Sequence, residues 1–348
     1  MHMRQMCKTT DSRAGKSRRH GQILIPVLAA VLLVSLPAAA CLGARTYSFG
    51  EVIRALFDPS ADPMIFMLRI PRVLLGALAG ASLAVCGVAM QALVRNELAD
   101  PFILGVSSGA SAFATLDMLF GVFAFFGTYR LSFSAFLGAA LTILIVFSLS
   151  VRRGRIQIPT LLLSGVAVSM MMDGLTEMIT LMAPNALGLH NATFWMSGSL
   201  ASARWEYLGL PAAVLAFCLI VLGMNHRKLD ALSLGESQAT TLGVNVRQMQ
   251  MLLILVASLL AGVTVSLCGT IGFVGLMAPH FARMLTGSKH KPVLWVSALC
   301  GALLVVWTDV LARILFAPEE LPIGVLTAML GGPVFIYMIR RKRGKRLD

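Results

Sequence analysis

The sequence predicts an all-α polytopic membrane protein with ten transmembrane helices. Composition is the first reason. Of 348 residues, 57% are hydrophobic and only 13% are charged, where ordinary soluble domains carry about a quarter charged residues. The second is length. Apolar runs of about 20 residues recur along the chain, and at 1.5 Å per residue each matches the hydrocarbon thickness of a bilayer. The third is the distribution of charge. Ten spans put both termini on one side, and 22 of the 29 lysines and arginines then fall on that side; the other seven are Arg45, Arg54, Arg69, Arg72, Arg130, Arg204 and Arg313. Such a bias marks the basic side as cytoplasmic. The net charge of +13 is therefore a topological signal and a lipid contact, not the footprint of a nucleic-acid partner.

Taken in order, residues 1–22 carry Arg4, Lys8, Arg13, Lys16, Arg18 and Arg19 and read as a basic cytoplasmic tail. The transmembrane domain follows over 23–340. Its first span is Ile23–Leu42. The small residues Ala38–Cys41 resemble a cleavage site, but the preceding basic region and the apolar run are both long for a signal peptide, so a retained helix is expected. Gly43–Leu68 reads as a polar loop. Span two, Pro71–Val94, contains Gly76-x-x-x-Gly80, which permits close helix packing. Span three, Pro101–Phe120, carries GVSSGAS at 105–111. Span four is Leu131–Val151, closed by Arg152, Arg153 and Arg155. Span five is Thr160–Met182. A long amphipathic connection then holds a short helix around Phe194–Leu200, and span six is Trp205–Met224. Span seven is Gln248–Cys268. The stretch 269–285 is short and contains Pro279, so a broken or half-length helix fits. Spans nine and ten are Pro292–Phe316 and Pro322–Ile339. Residues 341–348 form a second basic cytoplasmic tail.

Between the two greasy halves lies Leu229–Val246, the longest interior hydrophilic segment. Leu232, Leu234, Ala239 and Leu242 interleave with Ser233, Glu236, Ser237, Gln238 and Thr240, the pattern of a short helix outside the membrane. Gly235 and Gly243 suit a turn before it and a cap after it.

Some charges need a reason. Arg69 and Arg72 open span two on the outer face. Arg313 sits about 20 residues into span nine, roughly 30 Å from its start, so it also emerges outside, one turn above Asp309. Interfacial snorkelling is one reading and an anionic partner docking from outside is the other. Asp173 and Glu177 are spaced i,i+4 in the outer half of span five, where ionisable groups usually face a cavity or a partner; cavity lining is one reading and structural hydrogen bonding the other. Met170 belongs to a Met-rich stretch that can line a soft pathway wall.

The six cysteines are scattered and form no C-x-x-C or Cys/His cluster, so neither a disulfide framework nor a metal site is expected. There is no P-loop, H-E-x-x-H or G-x-S-x-G. No enzymatic activity and no bound cofactor are expected. Any energy for transport must come from a partner or an ion gradient, and a secondary transporter using Asp173 and Glu177 stays open at this point.

Six motifs carry a family resemblance: RIPR at 69–72, GVAMQALVRNELADPFILGVSSGA at 87–110, LSLGESQATTLGV at 232–244, GTIGFVGLMAPHFAR at 269–283, DVLAR at 309–313 and ELPIGVLTAMLGGPVFIYM at 320–338. Over about residues 45–340 the chain resembles the FecCD-type permeases of bacterial type II ABC importers, which move iron–siderophore complexes, haem and vitamin B12. The resemblance implies an inner-membrane homodimer with the substrate path on its axis. It implies two cytoplasmic ATPase subunits that use the ATP, and a periplasmic substrate-binding protein. It implies that Leu232, Ser233, Leu234, Gly235, Glu236, Ser237, Gln238, Ala239, Leu242 and Gly243 form the coupling helix to the ATPase. It implies that Arg69, Arg72 and Arg313 receive acidic residues of the binding protein. Spans five and ten, with the helix after span five, are the family's pathway-lining and gating elements, which places Asp173 and Glu177 near the path. Nothing in the residues chooses among haem, ferric siderophore and cobalamin; iron complexes are the family's commonest cargo.

Overall fold

The computed structural model of the chain describes residues 23–43, 45–152 and 155–344. The tail expected over 1–22 and the last four residues of the second tail lie outside the described residues. Fourteen α-helices follow one another among the described residues: α1 Ile23–Cys41, then α2 Phe49–Phe57, α3 Ile70–Val94, α4 Val106–Phe120, α5 Arg130–Ser150, α6 Ile158–Leu181, α7 Ala186–Met196, α8 Gly209–Met224, α9 His226–Ser233, α10 Glu236–Thr241, α11 Val246–Cys268, α12 Val274–Thr286, α13 His290–Ile314 and α14 Ile323–Gly344. The extended structure is a two-residue antiparallel ladder, Val151–Arg152 against Arg155–Ile156, at the turn between α5 and α6.

Among the described residues, seven helical stretches are long and apolar enough to cross a membrane: Ile23–Cys41, Ile65–Val94, Ala124–Ser150, Ile158–Leu181, Trp205–Met224, Val246–Cys268 and His290–Ile314. The remaining expected spans correspond to shorter helices. α4 has 15 residues and starts at Gly105, whose φ of 75° few other residues adopt readily. α12 has 13 residues and holds Pro279. The apolar part of α14 runs only over Ile323–Tyr337.

α3 lies at the centre, with α11, α12 and α13 packed around it. Small residues set how closely they approach. A Cβ on Gly80 would run into the carbonyl oxygen of Gly301 in α13, and one on Gly87 into that of Gly275 in α12. The main core gathers Val85, Cys86, Met90 and Leu93 of α3 with Leu253, Val256, Ala257 and Leu260 of α11.

Three expectations need correction. The polar loop at 43–68 contains α2. Ser48 and Glu51 form a reciprocal capping box at its start, and Val52 and Ala55 are buried. Span two begins earlier than Pro71, because a π-helical turn over Ile65–Arg69 leads directly into α3; Pro71, which lacks an N–H, is tolerated in the first turn. The extra helix expected at Phe194–Leu200 is α7, shifted toward the N-terminus. Asn185 caps it by accepting the Gly188 N–H at 2.6 Å, and Gly198 (φ 80°) lies just beyond its end.

Candidate functional site

The bundle has two ends. One carries α9 and α10, with the close of α3 and the starts of α11 and α13. The other carries α2, the close of α1 and α13, and the start of α3.

At the first end, the polar segment is not one helix. Gly235 has φ 115° and ψ 156°, and the chain breaks there into α9 and α10. Leu229, Leu232, Ala239 and Val244 turn inward and are buried. Leu234 and Leu242 turn outward, 59% and 63% exposed. Ser233, Glu236, Ser237, Gln238 and Gly243 are also exposed, and Gly235 is partly so. The segment therefore presents two apolar knobs in a polar surface.

Its two carboxylates are engaged with the bundle. Glu236 Oε1 accepts from Arg95 Nη2 at 2.7 Å and from Gln250 Nε2 at 3.3 Å. Arg95 reaches it from the left-handed residue that ends α3, φ 55°; Gln250 lies in the opening turns of α11. Asp230 Oδ1 accepts from both the backbone N–H and Nδ1–H of His290, each at 2.8 Å. Burial pushes the Asp230 carboxyl up, but these hydrogen bonds outweigh it and hold the group below the usual carboxylate range. Neither link was visible in the sequence, since the partners lie 141 and 60 residues away. Nearby, Arg283 Nη1 donates to Gln91 Oε1, joining α12 to α3.

At the other end stand the three arginines expected to face outward. Their side chains turn in. Arg72 donates to Asp309 through Nε and Nη2, at 3.0 and 2.9 Å, and to Glu320 through Nη1 at 2.9 Å. Arg313 pairs with the same Asp309 at 3.0 Å and donates to the carbonyls of Leu42 at 2.7 Å and Ala39 at 3.1 Å. Arg69 donates to Leu42 O at 2.6 Å and Arg45 O at 2.9 Å. The side chain of Arg313 is 3% exposed, so it does not emerge on the surface as its depth in span nine predicts. The physical reason is the end of α1. Its last carbonyls have no intrahelical partner, and its dipole favours a cation there. The guanidiniums of Arg69 and Arg313 donate to carbonyls there, and Asp309, which Arg313 shares with Arg72, offsets part of the buried charge.

On α6, Leu161, Gly165, Val168, Met172, Thr176 and Ile179 are buried. Asp173, Glu177 and Met170 lie on the opposite side and are exposed, Met170 to 70%. The described chain thus leaves two carboxylates uncovered on a helix long and apolar enough to span a membrane, a position that requires water or a second protein surface. Among the described residues, no three His, Cys, Asp or Glu gather as a metal site.

The model of the FecCD transport family matches residues 28–341. The chain is 37% identical to the hemin transport system permease protein HmuU of Yersinia pestis, over 93% of this chain and 97% of that one. It is 40% identical to the vitamin B12 import system permease protein BtuC of Vibrio cholerae, over 80% and 83%. Among solved structures it resembles one described as an inward-facing ABC transporter of metal-chelate type, with TM-score 0.82 and 32% identity, covering 92% of this chain and 99% of that one.

Proposed function

The chain belongs to the FecCD transport family, and from that premise we propose that it is the membrane permease of an ATP-driven ABC importer carrying an iron complex, haem or a ferric siderophore. It is a multi-pass membrane protein and a transport subunit rather than an enzyme. On this reading all ten helices named as spans cross the bilayer, with α4, α12 and α14 doing so as shorter or interrupted elements. The protein sits in the cytoplasmic membrane with both termini inside, as two copies about a shared path, and itself holds no cofactor.

The observation that carries the reading is the α9–α10 segment. The chain has no nucleotide-binding motif, yet it presents Leu234 and Leu242 on a polar projection, which suits a groove on a separate ATPase. Arg69, Arg72 and Arg313 stand against two carboxylates, Asp309 and Glu320, so the opposite end keeps a residual positive charge that favours an acidic binding protein. Arg69 and Arg72 are partly exposed, and Arg313 acts through its field rather than by contact. Asp173, Glu177 and Met170 face the path, which accounts for uncovered carboxylates at membrane depth. A cobalamin cargo is the second reading, favoured by the likeness to the Vibrio permease.

The test is reconstitution with the ATPase and binding-protein partners in vesicles. Hemin, a ferric siderophore and cobalamin are compared for stimulation of ATP hydrolysis. An iron complex as the strongest stimulant supports the reading. Uptake by the permease alone, driven by a proton gradient without ATP, overturns it.

A further inference from the structure

The partner-facing and bundle-facing roles of the α9–α10 segment are divided between different residue types. Leu234 and Leu242 point away from the molecule. Asp230 and Glu236 point back into it, and each reaches a different helix. Asp230 serves the start of α13: His290 is its first residue, the preceding Lys289 offers no side-chain cap, and the missing acceptor arrives from α9 instead. Glu236 serves the other side, meeting the last residue after α3 and the start of α11 in one carboxylate oxygen. Between the two lies Gly235. Its φ is strained for any other residue, and open space surrounds the position a Cβ would take. α9 is thus tied to α13, and α10 to α3 and α11, on either side of a glycine joint. The helices reached are three of the most deeply buried in the bundle.

We propose that Asp230 and Glu236 are the positioning residues through which displacement of the α9–α10 segment is passed to the spans, Glu236 to α3 and α11 through Arg95 and Gln250, and Asp230 to α13 through His290. The proposal rests on the reading of this segment as the ATPase contact. Direct, charge-assisted bonds between short and long helices suit this task. They hold their length under load better than an apolar sliding contact, and they are directional. The Arg95–Glu236 pair is partly exposed, with side chains 36% and 47% accessible, so it contributes little to stability. A large effect of breaking it must therefore appear in coupling.

The experiment uses the complete transporter in proteoliposomes with hemin as cargo, reading uptake, ATP hydrolysis and the ratio between them. Arg95→Glu and Glu236→Arg alone are expected to lower uptake per ATP roughly tenfold while the ATPase still co-purifies and the melting temperature barely moves; on the energy scale tenfold is a single good interaction. The double exchange Arg95→Glu/Glu236→Arg is expected to restore the ratio to within about threefold. Asp230→Asn is expected to lower the same ratio without loss of ATPase binding. Single variants that keep the wild-type ratio overturn the proposal, and so does a double exchange that restores nothing. A parallel Leu234→Arg/Leu242→Arg variant separates the underlying reading. If it still binds and stimulates the ATPase, the segment is not the contact and both ideas fall. If it loses the ATPase while the charge variants stay coupled, only the transmission through Asp230 and Glu236 falls.

Discussion

Arg72 grips Asp309 with two nitrogens, Nε at 3.0 Å and Nη2 at 2.9 Å, although the residues are 237 positions apart in sequence. Asp309 also takes Arg313 at 3.0 Å, and is itself 1% exposed. Two buried guanidiniums thus share one carboxylate. Asp309→Asn leaves Arg313 without its counter-charge and Arg72 with Glu320 alone, and should destabilise the protein by about 3–5 kcal/mol, the cost of breaking a buried pair by removing one member. Glu320, also bound to Arg72 but 33% accessible, lies at the rim. Glu320→Gln should cost under about 1 kcal/mol. Thermal unfolding of the two variants in the same detergent checks the contrast, and equal losses would contradict it.

The inward turn of the arginines changes which substitution reports on docking. Arg69→Glu should weaken association with an acidic binding protein, more so at low ionic strength, where charges about 10 Å apart are less screened. Arg313→Glu should instead yield little folded protein, because it sets two carboxylates side by side beneath the surface. Binding titrations at two salt concentrations, with expression yield as the second readout, distinguish the two effects.

Helix crossings without side chains make a sharper prediction. Gly87→Ala places a methyl against the carbonyl of Gly275, backbone on both sides, and neither chain can step aside. Folded yield should fall severely. Gly272→Ala, beside the same motif, meets nothing within 4 Å and should express like the wild type. Size-exclusion profiles of the purified variants provide the comparison.

Acid should loosen the link between α9 and α13. Asp230 is held below the ordinary carboxylate value by His290, with His226 adding a smaller favourable interaction. A carboxyl lowered in the folded state contributes stability above its unfolded pKa of about 3.9, and that contribution is lost as pH falls through the lower folded value. The melting temperature of Asp230→Asn should therefore lie below wild type at pH 7, and the gap should close under about pH 4. A gap of constant size across that range would show that the carboxylate charge is not what matters.

How much of this was legible follows from the range of each signal. The long spans were readable because burial in lipid demands only a run of apolar residues, and α3, α11 and α13 satisfy that locally. α2 was also readable, from Ser48 and Glu51 at capping-box spacing before Val52 and Ile53, but the prolines and aspartates around it masked the pattern. The polar segment was legible as a projection. Its division at Gly235 was not, because a glycine there fits a turn before one helix as well as a joint between two. The direction of Arg72 and Arg313 could not be read at all. Their charges identified them as exceptional, yet whether such a charge faces a partner or the interior depends on Asp309, Glu320 and the end of α1. Those groups come together only once the whole chain has folded.

The capping of α1 also orders events in time. Leu42 O receives Arg69, 27 residues later in the chain, and Arg313, 271 residues later. Ala39 O receives only Arg313 among the described residues. A ribosome adding about 5–20 residues per second leaves some tens of seconds between the two arginines. During that interval Arg69 alone can steady α1, and the bonds from Arg313 are added only once α13 has been made. A helix made early is in this way completed by a residue made late.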